Sequence, residues 1–391
     1  MALGWICFSR TFASGGRILA QPVCKYYDWF RKVVRNIPQP CHNFVIMLLC
    51  VLLSGCATQT GISAGNKKFA ENKYDSAIAE FQNVLKGSPD DSKALSMLGW
   101  SYFKKADYEN AIKTFKKYQK LYPEEPESYN GLGWCYFKTG DFEKAKKSFN
   151  NSIKLNEKQL DPYDGLGWIY ITSGELVAAY NKFQKALSVN IDDPEAHRGL
   201  GNYYFTMQEY DNSIEEMRLA LRIQPDWSDC ILITAKNYLA KQKFDVAESF
   251  FEDYLEKKPY DLDISIQLAG MKLYKKKYNK VKEYLGWIPN KKIEKQKIWG
   301  NYSAGLSMLG WSYFYTKDYK ESLKIFKLLA ELHSESDYFA DVHDGLAWNY
   351  LRLNDFDESF MEFQLALKLA PGYNSSLAGL AELEKVKSEK K

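Results

Sequence analysis

Histidines, cysteines and paired carboxylates are the side chains with which a chain could do acid–base, nucleophilic or metal chemistry. The 391-residue sequence holds four histidines and seven cysteines. His42 stands in the N-terminal segment, and His197, His333 and His343 are dispersed through the remainder. No HExxH, CxxC or GxSxG occurs, so zinc-protease, redox-dithiol and nucleophile-elbow chemistry have no sequence support. Cys7, Cys24, Cys41, Cys50 and Cys56 crowd the N-terminal segment; only Cys135 and Cys230 follow, and they are not expected to bond each other. Gly131-Leu132-Gly133 and Gly165-Leu166-Gly167 look like half a dinucleotide loop, but they fall inside helical patterns with no preceding strand. The sequence therefore predicts a protein that is not an enzyme, with no catalytic residue, no metal and no cofactor.

The residues that do stand out are aromatic: 10 Trp, 28 Tyr and 22 Phe make up 15% of the chain. Five of the tryptophans, Trp100, Trp134, Trp168, Trp311 and Trp348, follow a Leu-Gly or Leu-Ala pair in near-identical contexts such as LGWSYF, LGWCYF and LGWIYI. Flat indole faces can hold apolar side chains, prolines or sugar rings, and neighbouring Asn, Asp or Arg can supply hydrogen bonds. The same spacing also fits tryptophans that pack against the first helix of the neighbouring repeat.

The spacing belongs to a repeat. Leu98, Leu132, Leu166 and Leu200 recur at one constant interval, and the octapeptide SMLGWSYF occurs at 96–103 and again at 307–314. Each period reads as two amphipathic helices joined by a short turn, as at Gly140-Asp141 and Gly174-Glu175. One such pair cannot bury its apolar face alone, so stacked pairs must supply the core.

In the second period Leu98, Gly99, Tyr102, Ala111, Phe115 and Pro123 fill a Leu-Gly-x-x-Tyr, Ala-x-x-x-Phe, Pro pattern that resembles the tetratricopeptide repeat, or TPR. The resemblance implies an all-α, right-handed α-solenoid of about nine repeats. These lie near 58–91, 92–125, 126–159, 160–193, 194–227, 228–261, 262–302 (irregular, with 286–302 a longer connection), 303–339 and 340–373. A capping helix and charged tail follow at 374–391. In the seventh repeat Lys272 stands where tyrosine is expected. His197 and His343 occupy a position where the family often has an aromatic residue, so a packing role is expected. The family's ligands usually lie on the face formed by the first helices. Position nine of the repeat, where the five tryptophans stand, and position five, with Asn130, Asp164, Arg198 and Asp344, would line it. Acids at position two (Glu127, Asp161, Glu195, Asp229, Asp263, Asp341) are expected to serve the helix dipole, at roughly 0.3–1 kcal/mol each.

The N-terminal segment is of another kind. Arg10, Arg17, Lys25, Arg31, Lys32 and Arg35 face only Asp28 in residues 1–55, so the basic excess of the chain, 53 Lys+Arg against 49 Asp+Glu, resides there. The remainder is near neutral, which argues against a nucleic-acid partner. Phe44 to Leu53 is an apolar run of about 15 Å as a helix, half of a ~30 Å hydrocarbon core and too short to span it. With Leu53-Ser54-Gly55-Cys56 it resembles the signal and lipobox of bacterial lipoproteins, which implies cleavage before Cys56 and palmitate-type acylation of it. Residues 1–30 are longer than a signal needs and read as an over-extended start. Ala57 after the cysteine resembles the sorting pattern for the outer membrane.

Together these features predict a lipid-anchored envelope scaffold facing the periplasm, held to the membrane by its lipid. Its partners would be other envelope proteins or peptides, with polysaccharide as a further ligand class. Similar TPR lipoproteins serve in outer-membrane and pilus assembly or in exopolysaccharide export. The alternative is a cytoplasmic TPR adaptor without lipidation. A catalytic site in 286–302 has only that segment's irregularity behind it.

Overall fold

The computed structural model describes residues 58–290, 300–332 and 339–389, and every regular element among them is helical. The chain divides into two compact units at Glu157/Lys158. In the first, helices pair as α1 (58–70) with α2 (Tyr74–Gly87), α3 (Ser92–Lys104) with α4 (Tyr108–Leu121), and α5 (Pro126–Lys138) with α6 (Phe142–Leu155). In the second, the pairs are α7 (Asp161–Thr172) with α8 (Leu176–Val189), α9 (Pro194–Thr206) with α10 (Tyr210–Ile223), and α11 (Ser228–Ala240) with α12 (Phe244–Lys257). They continue as α13 (Leu262–Tyr274) with α14 (Tyr278–Leu285), α15 (Asn301–Tyr315) with α16 (Tyr319–Leu332), and α17 (Phe339–Leu353) with α18 (Phe356–Leu369), closed by α19 (Asn374–Glu389). The expected solenoid of helix pairs is thus the fold. The leader, with Cys56, lies outside the described residues, as do 291–299 and the last two lysines.

Several helices begin for a reason that is local in the sequence. Carboxylates of Asp91, Asp107, Asp141 and Asp261 accept backbone N–H bonds at 2.8–3.2 Å from the residue three positions on, satisfying donors that the first turn leaves open. Pro126, Pro162 and Pro194 occupy the first helical turn, where a missing N–H costs nothing. The turn inside each pair needs a left-handed residue at position fifteen. Gly140 (φ +80°) and Gly174 (φ +75°) supply it freely, but Ala106, Gln208, Gln242 and Lys276 adopt φ of +55° to +63° at the same place.

The core is built on one large side chain per repeat. Phe81, Phe115, Phe149, Phe183, Phe251, Phe326 and Phe363 are fully buried, with Met217 taking the same position in the fifth repeat. Small residues admit them: a Cβ on Gly99 would stand 2.6 Å from the Phe115 ring, and one on Gly131 2.4 Å from that same ring. Phe183 is held likewise by Gly167 and Gly199, and Phe326 by Gly310 and Gly345. These three rings are each clasped between a glycine of their own repeat and one of the next, which is the physical content of the repeat's signature.

The seventh repeat departs from this plan. Helix α14 stops at Leu285, and a short 3₁₀ turn, Ile288–Asn290, returns Ile288 to the core, fully buried. The expected irregular connection thus begins with a packed segment. Lys272, in place of the tyrosine, is only 4% exposed; its ammonium lies 2.6 Å from Glu248 and 2.6 Å from Glu252. Lys275 bonds Glu248 from the other side at 2.8 Å, and the Tyr284 hydroxyl donates to Glu252 at 2.8 Å. A buried charge is kept there because every charge has an opposite neighbour.

Candidate functional site

All five position-nine tryptophans are half-buried. Each meets the core phenylalanine of its own repeat edge-to-face: Trp100–Phe115 at 5.4 Å, Trp134–Phe149 at 5.4 Å, Trp168–Phe183 at 5.5 Å, Trp311–Phe326 at 5.2 Å and Trp348–Phe363 at 5.5 Å. Such T-shaped pairs add about 0.5–1.5 kcal/mol beyond burial. The ring shared by all five contacts thus belongs to the second helix of the same repeat, and Trp348 also meets Phe314 on the first helix of the preceding repeat, with ring centres 6.4 Å apart. In three cases the contact to the following helix pair or capping helix runs through the indole N–H. Trp100 donates to Glu127 at 2.6 Å, Trp311 to Asp341 at 3.2 Å and Trp348 to Ser375 at 3.0 Å.

Two of the acceptors are position-two acids, expected only to serve the helix dipole. Glu127 and Asp341 do more, tying each tryptophan to the repeat that follows it. The signal was present in the sequence as an acid at position two of the repeat after four of the five tryptophans, with Ser375 following Trp348, but it needed the N–H direction to be read.

Position five is mostly interior. Asn130 and Asp164 are each 2% exposed and Asp344 1%, so these expected groove contacts do not present a surface. The reason is that first helices of adjacent repeats pack closely there: Asp344 accepts bonds from Ser375 (2.6 Å) and Ser376 (2.7 Å) on α19. Burial pushes the Asp344 carboxyl upward despite those donors. Asp164 is raised well above the usual carboxylate range, first by burial and then by the neighbouring Asp193 carboxylate. Arg198 is the exception, half-buried and clamped over the Trp168 ring, with its guanidinium carbon 4.1 Å from the ring centre. The Trp168 N–H, buried, has no hydrogen-bond partner, because Glu195, the position-two acid of the next repeat, is taken by Arg198.

The second unit opens a cavity of about 630 Å³ between α13, α15, α17 and α19. Trp311, Trp348, Tyr274 and Tyr315 line it with Asp341 and Asp344. Tyr274 is 91% exposed, and Tyr315 stacks on Tyr278 with ring centres 4.9 Å apart. This places two of the five tryptophans, one position-two acid and one position-five acid in one concavity.

Other reactive groups are set to rest. Cys135 and Cys230 are free and buried, and burial pushes each thiol up to about 12. His197 is 4% exposed; Nδ1 lies 2.7 Å from Glu216 and Nε2 2.9 Å from the Ile191 carbonyl. Burial alone would lower that imidazole, but the two acceptors outweigh it and raise it. His343 pairs with Glu362 at the same register, so both histidines tie the two helices of a repeat together. Among the described residues no group of three or more His, Cys, Asp or Glu could hold a metal ion, and no helix is long and apolar enough to cross a membrane.

Ordered helix pairs interlocked by glycine and aromatic side chains, with a tryptophan-bearing face, define a helical-repeat scaffold for protein interaction. Residues 63–126, 126–159 and 195–226 match family models described as tetratricopeptide repeat. These segments belong to the tetratricopeptide-repeat family. Among solved structures, a thermophilic TPR protein of Thermus thermophilus is 23% identical, with 46% of this chain and 99% of that one covered and a TM-score of 0.43. Pseudomonas aeruginosa pilF is 15% identical over 54% of this chain and 96% of its own, TM-score 0.46. PilW, a type IV pilus biogenesis factor, is 16% identical over the same shares, TM-score 0.46. No curated protein sequence matches the chain.

Proposed function

We propose that the chain is a lipid-anchored scaffold of the bacterial cell envelope, attached through Cys56 to the outer membrane and facing the periplasm. It holds an extended segment of a partner envelope protein, with polysaccharide as the other polymer class, on tryptophan-bearing helix faces as an assembly or export factor. The observation that carries the binding reading is the shared posture of Trp100, Trp134, Trp168, Trp311 and Trp348. Each is pinned from beneath by its own phenylalanine and left half-uncovered. Rigid, partly exposed indoles offer contact area at little cost in side-chain entropy.

The anchoring reading rests on Leu53-Ser54-Gly55-Cys56 after the apolar run, residues outside the described structure. Acyl chains contribute about 0.8 kcal/mol per buried CH₂, so more than one makes the attachment durable. Mass spectrometry of the native N-terminal peptide tests it: a lipid mass on Cys56 with residues 1–55 removed supports the reading, and an intact unmodified leader favours the cytoplasmic adaptor. For the binding face, Trp134→Ala and Trp168→Ala should lower co-purification of the native partner at least tenfold with the helical signal unchanged. Undiminished retention by both would sink the reading.

A further inference from the structure

Two niches of the second unit place a tryptophan face beside carboxylates, and the chain fills one of them itself. In the fifth repeat the Arg198 guanidinium lies between Trp168 and Trp227, 4.1 and 4.8 Å from the ring centres. Its Nη2 and Nε bond Glu195 at 2.6 and 3.1 Å, and Nη1 stands 3.7 Å from Asp229. Cation, aromatic face and acid are thus satisfied together.

The repeat register maps this niche onto the large cavity of the eighth and ninth repeats. Trp168 corresponds to Trp311 and Glu195 to Asp341, but the position of Arg198 is held by Asp344. The cation is replaced by a second acid. Asp341 receives only neutral donors, Ser307 at 2.8 Å, Trp311 at 3.2 Å and Tyr373 at 3.5 Å. Asp344, deeper in the wall, receives Ser375 and Ser376. Among the described residues no lysine or arginine lies within ion-pair distance of either. The arginine in the wall, Arg352, is already paired with Glu382 at 2.5 Å, and Lys276 stands exposed at the rim. The open side carries two tyrosines, Tyr274 and Tyr315, 91% and 55% exposed.

We infer that this cavity receives a basic side chain, arginine in preference to lysine, from an extended segment of a partner protein. The inference rests on the scaffold reading above and adds the chemistry of the partner. A guanidinium can lie flat on Trp311 or Tyr315 while bonding Asp341, as Arg198 does on Trp168 with Glu195. A neutral sugar would stack equally well but leave both acids without a counter-charge. The cavity's volume leaves room for neighbouring residues of the segment.

The test uses the full-length chain and three probes followed by intrinsic tryptophan fluorescence. These are the peptide Ala-Arg-Ala-Arg-Ala, its counterpart with citrulline for both arginines, and cellohexaose. The arginine peptide should bind at least tenfold more tightly than the citrulline peptide, and its affinity should fall with added salt. Asp341→Asn should weaken it about tenfold. Tyr315→Ala and Tyr274→Ala, at exposed positions that leave the fold intact, should weaken it several-fold, and Lys276→Asn should strengthen it. Equal binding of arginine and citrulline peptides, no binding of either, or cellohexaose binding that Tyr315→Ala abolishes and Asp341→Asn spares, overturns the inference. If Trp134→Ala and Trp168→Ala release the native partner while Asp341→Asn and Tyr315→Ala leave every probe unaffected, the scaffold reading stands and this one falls.

Discussion

Lys272 offers the sharpest trial of how this array tolerates a charge where the repeat expects an aromatic ring. Lys272→Met keeps the unbranched stem of the side chain as far as Cε and removes the ammonium that lies 2.6 Å from both Glu248 and Glu252. Breaking a buried pair by removing one partner costs about 3–5 kcal/mol, because the other charge is left unpaired. Here two features reduce that figure. Glu248 retains Lys275 at 2.8 Å, and the Glu252 side chain is 38% exposed, so water screens it. About 2–3 kcal/mol is the resulting expectation, which is roughly 30- to 150-fold in local opening at 1.4 kcal/mol per tenfold. The suitable assay is amide hydrogen exchange over 244–285, since repeat arrays open locally and a single melting curve would average over the chain. Glu248→Gln and Glu252→Gln added to Lys272→Met should recover most of the loss, because the removed charge then leaves no uncompensated partner. Exchange within threefold of wild type in Lys272→Met, or no recovery in the triple variant, refutes the reasoning.

Ala106 adopts φ +63° at the turn position that Gly140 and Gly174 fill freely, so Ala106→Gly should stabilise α3 and α4 by about 1 kcal/mol, read as slower exchange across 92–121. Gly140→Ala should do the reverse. The pH dependence of the segment 161–206, from acid to neutral pH, follows from three groups with raised folded-state values: Asp164, Asp193 and His197. Burial is the largest cause for the two acids. For His197, burial opposes the shift, and Glu216 with the Ile191 carbonyl outweighs it. A raised value means that the folded state holds its proton more tightly. The stabilisation from Asp164 and Asp193 is therefore complete below the ordinary carboxylate value of 3.8, and that from His197 below 6.5, each lost as pH rises through the raised value. Exchange protection over 161–206 should decline from acid to neutral pH, and Asp164→Asn should flatten the acid part of that slope; a rising or flat profile in the unmodified chain contradicts it.

The helix pairs were legible in the sequence because their cause is repeated. Leu98, Gly99, Ala111 and Phe115 recur at a fixed interval, and a glycine facing a phenylalanine has the same meaning in every copy. Lys272 was legible as a misfit, but not as the centre of a satisfied network, because Glu248, Glu252 and Tyr284 lie on two other helices. At position five the pattern misjudged the depth of the helix face. Asn130, Asp164 and Asp344 are small and polar, as a ligand-facing residue would be, yet adjacent first helices close over them.

By itself the sequence determined the fold class, the repeat register, the aromatic core and the separate character of the leader. Each follows from residue type and spacing along the chain, which a single copy of the repeat already contains. The tertiary structure decided which faces of the tryptophans are covered, that the Trp100 and Trp311 N–H groups reach acids of the next repeat, and that Arg198 fills one aromatic niche while in its counterpart Asp341 and Asp344 have no cation within ion-pair distance. Those outcomes depend on angles and distances between helices from different repeats, where a small shift separates a buried, satisfied carboxylate from one that faces an open cavity.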